Sequence, residues 1–262
     1  CAPFNISNQI PGKEDFNETL RYFGKRIETT GVKLRLNTRA EAAALKADGF
    51  DHVVLATGIS PRKPAIPGIE SDKVATYLDI IEGRKVAGKS VAIIGAGGIG
   101  FDVGEFLTHA HDERSEAERF NSEWGIDPTY ASRGGLKPAV DEKAPRKVYL
   151  LQRKESKVGD GLAKTTGWIR RTLLKKRGVT MIPGVSYERI DEAGLHITVG
   201  GEAKTLPVDT IVVCAGQESR RELKAPLEAA GIPVTLIGGA DVAAELDAKR
   251  AIDQGTRVAA AL

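Results

Sequence analysis

The chain has 262 residues, 41% apolar and 28% charged, with a formal net charge of +3. That length allows one large or two ordinary domains with a buried core, and the composition is not that of a disordered chain. The small, dispersed charge, with no Lys/Arg block interleaved with aromatics, argues against nucleic-acid binding, and no apolar run approaches the roughly twenty residues of a membrane helix.

Taken in chain order, Cys1-Ala2-Pro3-Phe4-Asn5-Ile6 is neither an initiator Met nor a natural domain start. A helix is predicted over about 14–29, with Phe16, Leu20, Phe23 and Ile27 on one face. Gly31 ends it, and the alternation in Val32-Lys33-Leu34-Arg35-Leu36 predicts a half-buried strand. A short helix around 40–47 precedes a buried strand at His52–Leu55, which runs into Ala56-Thr57-Gly58. Pro61, Pro64 and Pro67 then mark a crossover, and 77–83 reads as a short helix.

The most informative stretch is Val91-Ala92-Ile93-Ile94-Gly95-Ala96-Gly97-Gly98-Ile99-Gly100. A β-branched run feeds into Gly-x-Gly-x-x-Gly, and Ile99, Val103, Phe106 and Leu107 continue at helical spacing. In such a unit Gly95 allows the tight turn, Gly97 admits a pyrophosphate to the backbone, and Gly100 lets helix pack closely on strand. The helix start offers unpaired N–H groups and a positive dipole end to the phosphates. A dinucleotide is the expected ligand.

The acid that would hold a ribose 2′-hydroxyl is due about twenty residues on. That distance lands in the polar stretch His109-Ala110-His111-Asp112-Glu113-Arg114, which is not a strand. The next strand, Lys147–Leu151, ends in Gln152-Arg153-Lys154-Glu155-Ser156-Lys157 without a carboxylate at the expected place. Arg grips a phosphate with a planar fork, so Arg153, Lys154 and Lys157 favour NADPH over NADH. The alternative is a solvated basic loop. Residues 109–146 form an insertion longer than ordinary loops, with Trp124, Gly134-Gly135 and three prolines suggesting loops and short helices.

A second helix is predicted over about 161–176, carrying Trp168, Ile169, Leu173 and Leu174. Short strands at 179–182, 186–190, 195–199 and 205–208 predict an antiparallel meander, followed by the strand Thr210–Cys214 and Ala215-Gly216-Gln217. Val234–Ile237 runs into Gly238-Gly239-Ala240-Asp241 and a long C-terminal helix, with Val242, Leu246, Ile252 and Ala259 toward one side. Cys1 and Cys214 make no disulfide framework, and His109 with His111 lacks further ligands, so no metal site is expected. Cys214 reads as a buried, inert thiol. Without a recognisable secretory signal, the expected location is cytoplasmic.

A strand with Ala56-Thr57-Gly58 before the dinucleotide unit, and a strand with Gly239-Ala240-Asp241 after it, describe one domain interrupted by another. In this the chain resembles the two-dinucleotide-domain flavoproteins, an α/β architecture in which a Rossmann-like NADPH domain is inserted into an FAD-binding domain. Ala56-Thr57-Gly58 and Ala215-Gly216-Gln217 resemble that family's crossing segments, and Gly238–Asp241 its flavin ribityl motif. More narrowly, Gln9–Lys13, Gly97–Asp102, Glu123–Asp127, Leu151–Lys154, Lys164–Ile169 and Glu245–Ala248 are similar to the bacterial NADPH-dependent 2,4-dienoyl-CoA reductases, old-yellow-enzyme-like iron–sulfur flavoproteins.

The resemblance implies a partial FAD-binding domain at 1–84, an NADPH-binding domain at 85–217 with its insertion at 109–146, and a return to the FAD domain at 218–262. It implies that NADPH reduces FAD and that electrons pass through a 4Fe–4S cluster to FMN and a dienoyl thioester, as in unsaturated fatty acid β-oxidation. The FMN and cluster belong to an upstream barrel of the same polypeptide, so the chain is expected to be the C-terminal portion of a longer protein. Gly95, Gly97, Gly98 and Gly100 would meet the NADPH pyrophosphate, and Arg153, Lys157 and more weakly Lys154 the 2′-phosphate. Ala56, Thr57, Gly58, Gly216, Gly239 and Asp241 would meet FAD. Thr165 and Trp168 are candidates for the nicotinamide side, with Trp168 as core the alternative, and no catalytic acid is nominated. Other members of the group, enoate reductases or amine dehydrogenases, and a non-catalytic nucleotide-binding module are the competing readings.

Overall fold

The computed structural model describes residues 2–110, 113–141, 143–244 and 248–262. Cys1, His111, Asp112 and the resemblance-bearing Glu245-Leu246-Asp247 lie outside them. The chain begins with helices α1 (Ala2–Ser7), α2 (Phe16–Thr29) and α3 (Ala42–Ala47). Strands β1 (Val53–Leu55), β2 (Ile59–Pro61) and β3 (Val74–Thr76) lead to α4 (Tyr77–Ile81). Next come β4 (Ser90–Ile94), α5 (Gly98–Thr108), α6 (Glu116–Trp124), β5 (Lys147–Leu151), α7 (Gly167–Lys176) and β6 (Thr180–Ile182). Then follow β7 (Val185–Asp191), β8 (Gly194–Val199), β9 (Glu202–Leu206) and β10 (Thr210–Val213). β11 (Gln217–Ser219), α8 (Lys224–Ala229), β12 (Val234–Leu236) and α9 (Ala248–Ala261) complete the order.

Two compact units result, one from Cys1–Arg26 and Lys63–Ala215, the other from Ile27–Arg62 and Gly216–Leu262. Each unit is therefore discontinuous in sequence, the smaller one interrupted by residues 63–215 of the larger. The larger unit is built on a five-stranded parallel sheet ordered β3-β10-β4-β5-β6. Pairing of β3 with β10 places residues 63–84 in this unit, which also takes in residues 1–26.

The central strand β4 is apolar on both faces because both are covered. Val91 and Ile93 pack with Phe101, Val103 and Leu107 of α5 and Leu174 of α7, while Ala92 and Ile94 pack with Leu195 and Ile197 of β8. Gly104 of α5 permits a close approach, since a Cβ there would lie 3.1 Å from Leu174 Cδ1. α4 opens on a capping box in which Thr76 and Asp79 satisfy each other's backbone donors.

β7, β8 and β9 form an antiparallel sheet of their own. The fourth strand expected in that meander, at 179–182, instead is β6 and pairs in parallel with β5. A three-residue strand carries no periodicity that separates the two partners.

The smaller unit has β1 parallel to β12 and β2 antiparallel to β11, over a core of Leu55, Leu227 and Ile232. The strand expected at Val32–Leu36 is not there: the segment is irregular, with Leu36 71% exposed and Val32 and Leu34 also exposed. Alternation describes a strand only when a neighbour takes its ladder bonds, and no described strand does. α2 matches the predicted helix, its stripe of Phe16, Leu20, Phe23 and Ile27 half-buried.

The expected stripe of α9 is also corrected. Val242 and Ile252 are exposed, and Leu246 lies outside the described residues. Gly255 approaches Ile237 and Ala251 approaches Gly238, so the helix turns its small residues inward. The sequence reading gave weight to bulk, whereas contact here rests on close approach.

Candidate functional site

The fingerprint glycines sit where β4 hands over to α5. Gly95 has φ +107°, and its N–H donates to Leu151 O at 3.0 Å. A Cβ on Gly95 would lie 2.5 Å from Cys214 O, and one on Gly100 would lie 1.9 Å from Gly95 O. At Gly97 and Gly98 a Cβ would meet nothing within 4 Å. Two glycines are thus required by the protein's own backbone, and two face open space at the start of α5, whose first-turn N–H groups have no helical acceptor. A phosphate fits that arrangement.

β5 lies beside β4 in parallel with Leu151 opposite Ile94, so the loop carrying Arg153, Lys154 and Lys157 leaves the sheet at the same end as the fingerprint turn. Gln152 organises that loop: its Nε2 donates to Lys154 O at 3.0 Å and Ser156 O at 2.8 Å, and its Oε1 accepts from Gly159 N at 3.3 Å. The three basic side chains are exposed, and no described acid forms an ion pair with them. Sequence reasoning took Gln152 only as a missing acid; its position at the strand end was the available signal.

α7 starts at Gly167, six residues later than expected, because 161–166 is occupied by turns. Its Leu173 and Leu174 are buried as expected, but Trp168 is 55% exposed and Ile169 is exposed as well. The core reading of Trp168 is therefore excluded. Thr165 is exposed too.

Arg170 reaches α5 and bonds Asp102, which Lys13 also contacts at 2.6 Å. Arg171 Nη1 donates to Gly159 O at 2.8 Å. Burial pushes the Glu105 carboxyl up against the opposing pull of Arg170, whose guanidinium lies 3.8 Å away. This acid–base cluster escaped the sequence reading, although Asp102 stands one helical turn after Gly98.

The smaller unit gathers most of its candidates at one end of β1 and β12. Leu55 is paired with Leu236, so Ala56-Thr57-Gly58 and Gly238–Asp241 leave neighbouring strands together. Thr57 Oγ1 donates to Arg220 O at 2.5 Å, and Gly58 O accepts from Arg220 N at 3.0 Å. Ser219 Oγ donates to Gly239 O at 2.7 Å, while Arg221 donates to the carbonyls of Ala240 and Asp241. Gln254 of α9 donates to Asp241 Oδ2 at 2.8 Å and accepts from Gly238 N at 2.7 Å. Gly216, with φ +99°, accepts from Arg62 N at 3.0 Å. Ala56 and Thr57 are exposed, and Gly239 and Asp241 are half-buried. This polar, glycine-rich end suits a nucleotide's hydroxyl-bearing chain, with Asp241 an acceptor already oriented by Gln254.

Among the described residues no group of three or more His, Cys, Asp or Glu side chains is placed to hold a metal. Burial pushes the Cys214 thiol up, which keeps it protonated and unreactive. No helix among the described residues is long and apolar enough to cross a membrane.

A model of the pyridine nucleotide-disulphide oxidoreductase family matches residues 19–251. A metal reductase of Desulforamulus reducens is 26% identical over 242 residues, covering 88% of this chain and 34% of that protein. The cinnamate reductase of Clostridium sporogenes is 34% identical over 119 residues, 44% of this chain and 18% of that protein. The solved complex of 2-naphthoyl-CoA reductase with 2-naphthoyl-CoA superposes with a TM-score of 0.77 at 25% identity, covering 97% of this chain and 33% of that one. Histamine dehydrogenase from Rhizobium sp. 4-9, at TM-score 0.76 and 21% identity over 100% of this chain and 38% of that one, shares the fold. The chain spans about a third of the length of the relatives that match most of it.

Proposed function

The chain belongs to the pyridine nucleotide-disulphide oxidoreductase family, and on that premise we propose that it is the NADPH- and FAD-binding, electron-input portion of a multi-cofactor reductase. The observation that carries the reading is the pairing of an open glycine turn at Gly97-Gly98 with an exposed basic loop on the adjacent strand end, where Gln152 stands in place of the expected acid. When bound, the nicotinamide supplies a hydride and FAD accepts it; the protein positions and tunes. Gly97 and Gly98 leave the backbone N–H groups of α5 accessible to the pyrophosphate. Arg153 and Lys157, and more weakly Lys154, neutralise a 2′-phosphate. Ala56, Thr57, Gly58, Gly216, Gly239 and Asp241 hold the FAD side.

For the whole protein we propose reduction of a carbon–carbon double bond conjugated to a thioester, with 2,4-dienoyl-CoA the substrate class. FMN and a 4Fe–4S cluster would lie in an upstream part of the same polypeptide, and the cytoplasm is its proposed location. The similarity to proteins named cinnamate reductase and 2-naphthoyl-CoA reductase supports the conjugated double bond. It also favours a second reading, an aryl-conjugated acid or thioester as substrate. Anaerobic NADPH oxidation by the intact protein, offered a 2,4-dienoyl-CoA, cinnamate and cinnamoyl-CoA in turn, decides between them. Turnover confined to the dienoyl thioester supports the first, turnover of an aryl substrate alone the second, and no turnover with any of them contradicts both.

A further inference from the structure

Trp168 exposes 55% of its surface, whereas Leu173 and Leu174 of the same helix are buried. The other tryptophan, Trp124, has its ring covered by Lys176 Nζ at 5.2 Å from the centroid. Leaving an indole in water forgoes the stabilisation of burying a large apolar surface, which a ligand can restore.

The turn that carries Trp168 is held from several directions. Two residues on, Arg170 bonds Asp102 on the fingerprint helix and stacks 5.9 Å from the Phe101 ring. Arg171 ties the same turn to Gly159, where the basic loop ends. On the near side Gly167 lies so close to Leu162 that a Cβ would come within 2.7 Å of it. The turn that presents the indole is thus tied, through Arg170 and Arg171, to both elements read as holding phosphate.

We propose that Trp168 is the aromatic wall against which a planar ring of the bound dinucleotide stacks. The inference rests on the NADPH reading of this unit. Both the adenine and the nicotinamide present the same chemistry, a flat heteroaromatic face, and an indole suits either.

Calorimetric titration of the intact protein and of W168A and W168F tests this, with NADP⁺ and with adenosine 2′,5′-bisphosphate, which lacks nicotinamide. Trp168→Ala is expected to weaken NADP⁺ binding by about tenfold, and Trp168→Phe to recover most of it. Equal weakening of both ligands assigns the ring to adenine; weakening of NADP⁺ alone assigns it to nicotinamide. Either supports the wall. Wild-type affinity of W168A for both ligands overturns it and leaves the nucleotide site standing. Binding of neither ligand to the wild type overturns the NADPH reading and the wall with it. The difference in emission between wild type and W168F provides an independent readout: saturable quenching by NADP⁺ is expected, and an unchanged difference at saturation overturns the stacking.

Discussion

The carbonyl oxygen of Gly95 lies 1.9 Å from where a Cβ on Gly100 would stand, while a Cβ on Gly97 would meet nothing within 4 Å. The two positions of one motif therefore fail differently. Gly100→Ala pushes helix from strand and is expected to cost at least about 2 kcal/mol of stability. Gly97→Ala, at φ −82°, is expected to leave stability within about 0.5 kcal/mol of wild type yet weaken NADPH binding tenfold or more, because only the ligand meets the new methyl. Urea denaturation alongside calorimetry checks both. Equal destabilisation by the two substitutions contradicts the assignment.

The basic loop makes a selectivity prediction. NADPH is expected to bind well ahead of NADH, and Arg153→Ala to remove most of the gap, about 1.5–3 kcal/mol or roughly tenfold to hundredfold in affinity. Lys157→Ala is expected to act in the same direction, and both effects shrink at high salt. Equal wild-type affinity for the two cofactors removes the phosphate role and leaves a solvated loop.

A buried ion pair ties the insertion to the nucleotide-binding unit. Arg177 Nε and Nη2 each lie 3.1 Å from a carboxylate oxygen of Glu123, both side chains nearly inaccessible, and Lys176 Nζ donates to Glu123 O at 2.7 Å. Glu123→Gln strands the Arg177 charge and is expected to cost about 3 kcal/mol. A joint Glu123→Gln, Arg177→Met replacement is expected to cost less than the single change, since no charge remains buried. A loss within about 0.5 kcal/mol of wild type for Glu123→Gln would show the insertion to be held by other contacts.

Asp127 gives the insertion a pH dependence. Hydrogen bonds from Thr129 Oγ1, then Ser132 N and Thr129 N, pull its carboxyl down to about 2. The folded value lies below the ordinary value near 3.9, so the stabilisation is complete above about pH 4 and is lost as the pH falls toward about 2. Asp127→Asn is expected to flatten the acid arm of the stability–pH profile while lowering stability near neutrality. Parallel profiles for variant and wild type would remove Asp127 from the account.

How much the sequence disclosed depended on how local the cause was. The fingerprint turn was legible because its glycines recur at fixed local spacing, with Gly100 constrained by Gly95 five residues before it, and the basic loop because β5 announced itself as an apolar run; that Cys214 crowds Gly95 was not legible. That one unit is interrupted by another was legible from the strands that end in Ala56-Thr57-Gly58 and in Gly239-Ala240-Asp241 on either side of the fingerprint. The Lys13–Asp102–Arg170 cluster was not, since it joins residues 89 and 68 positions apart that carry no motif. The failed strand at Val32–Leu36 shows that alternation alone does not supply a pairing partner. Trp168 shows the opposite limit: the sequence left it between a core position and the nicotinamide side, and only packing decides which members of such an apolar stripe are covered.

The most direct test of the central claim is anaerobic reduction of the flavin in the intact protein, followed by the loss of its oxidised absorbance in a stopped-flow instrument. NADPH is expected to bleach the flavin rapidly, NADH at equal concentration far more slowly, and Arg153→Ala to slow the NADPH reaction toward the NADH rate. A flavin that stays oxidised in NADPH would contradict the electron-input role and leave the chain a nucleotide-binding module without redox function.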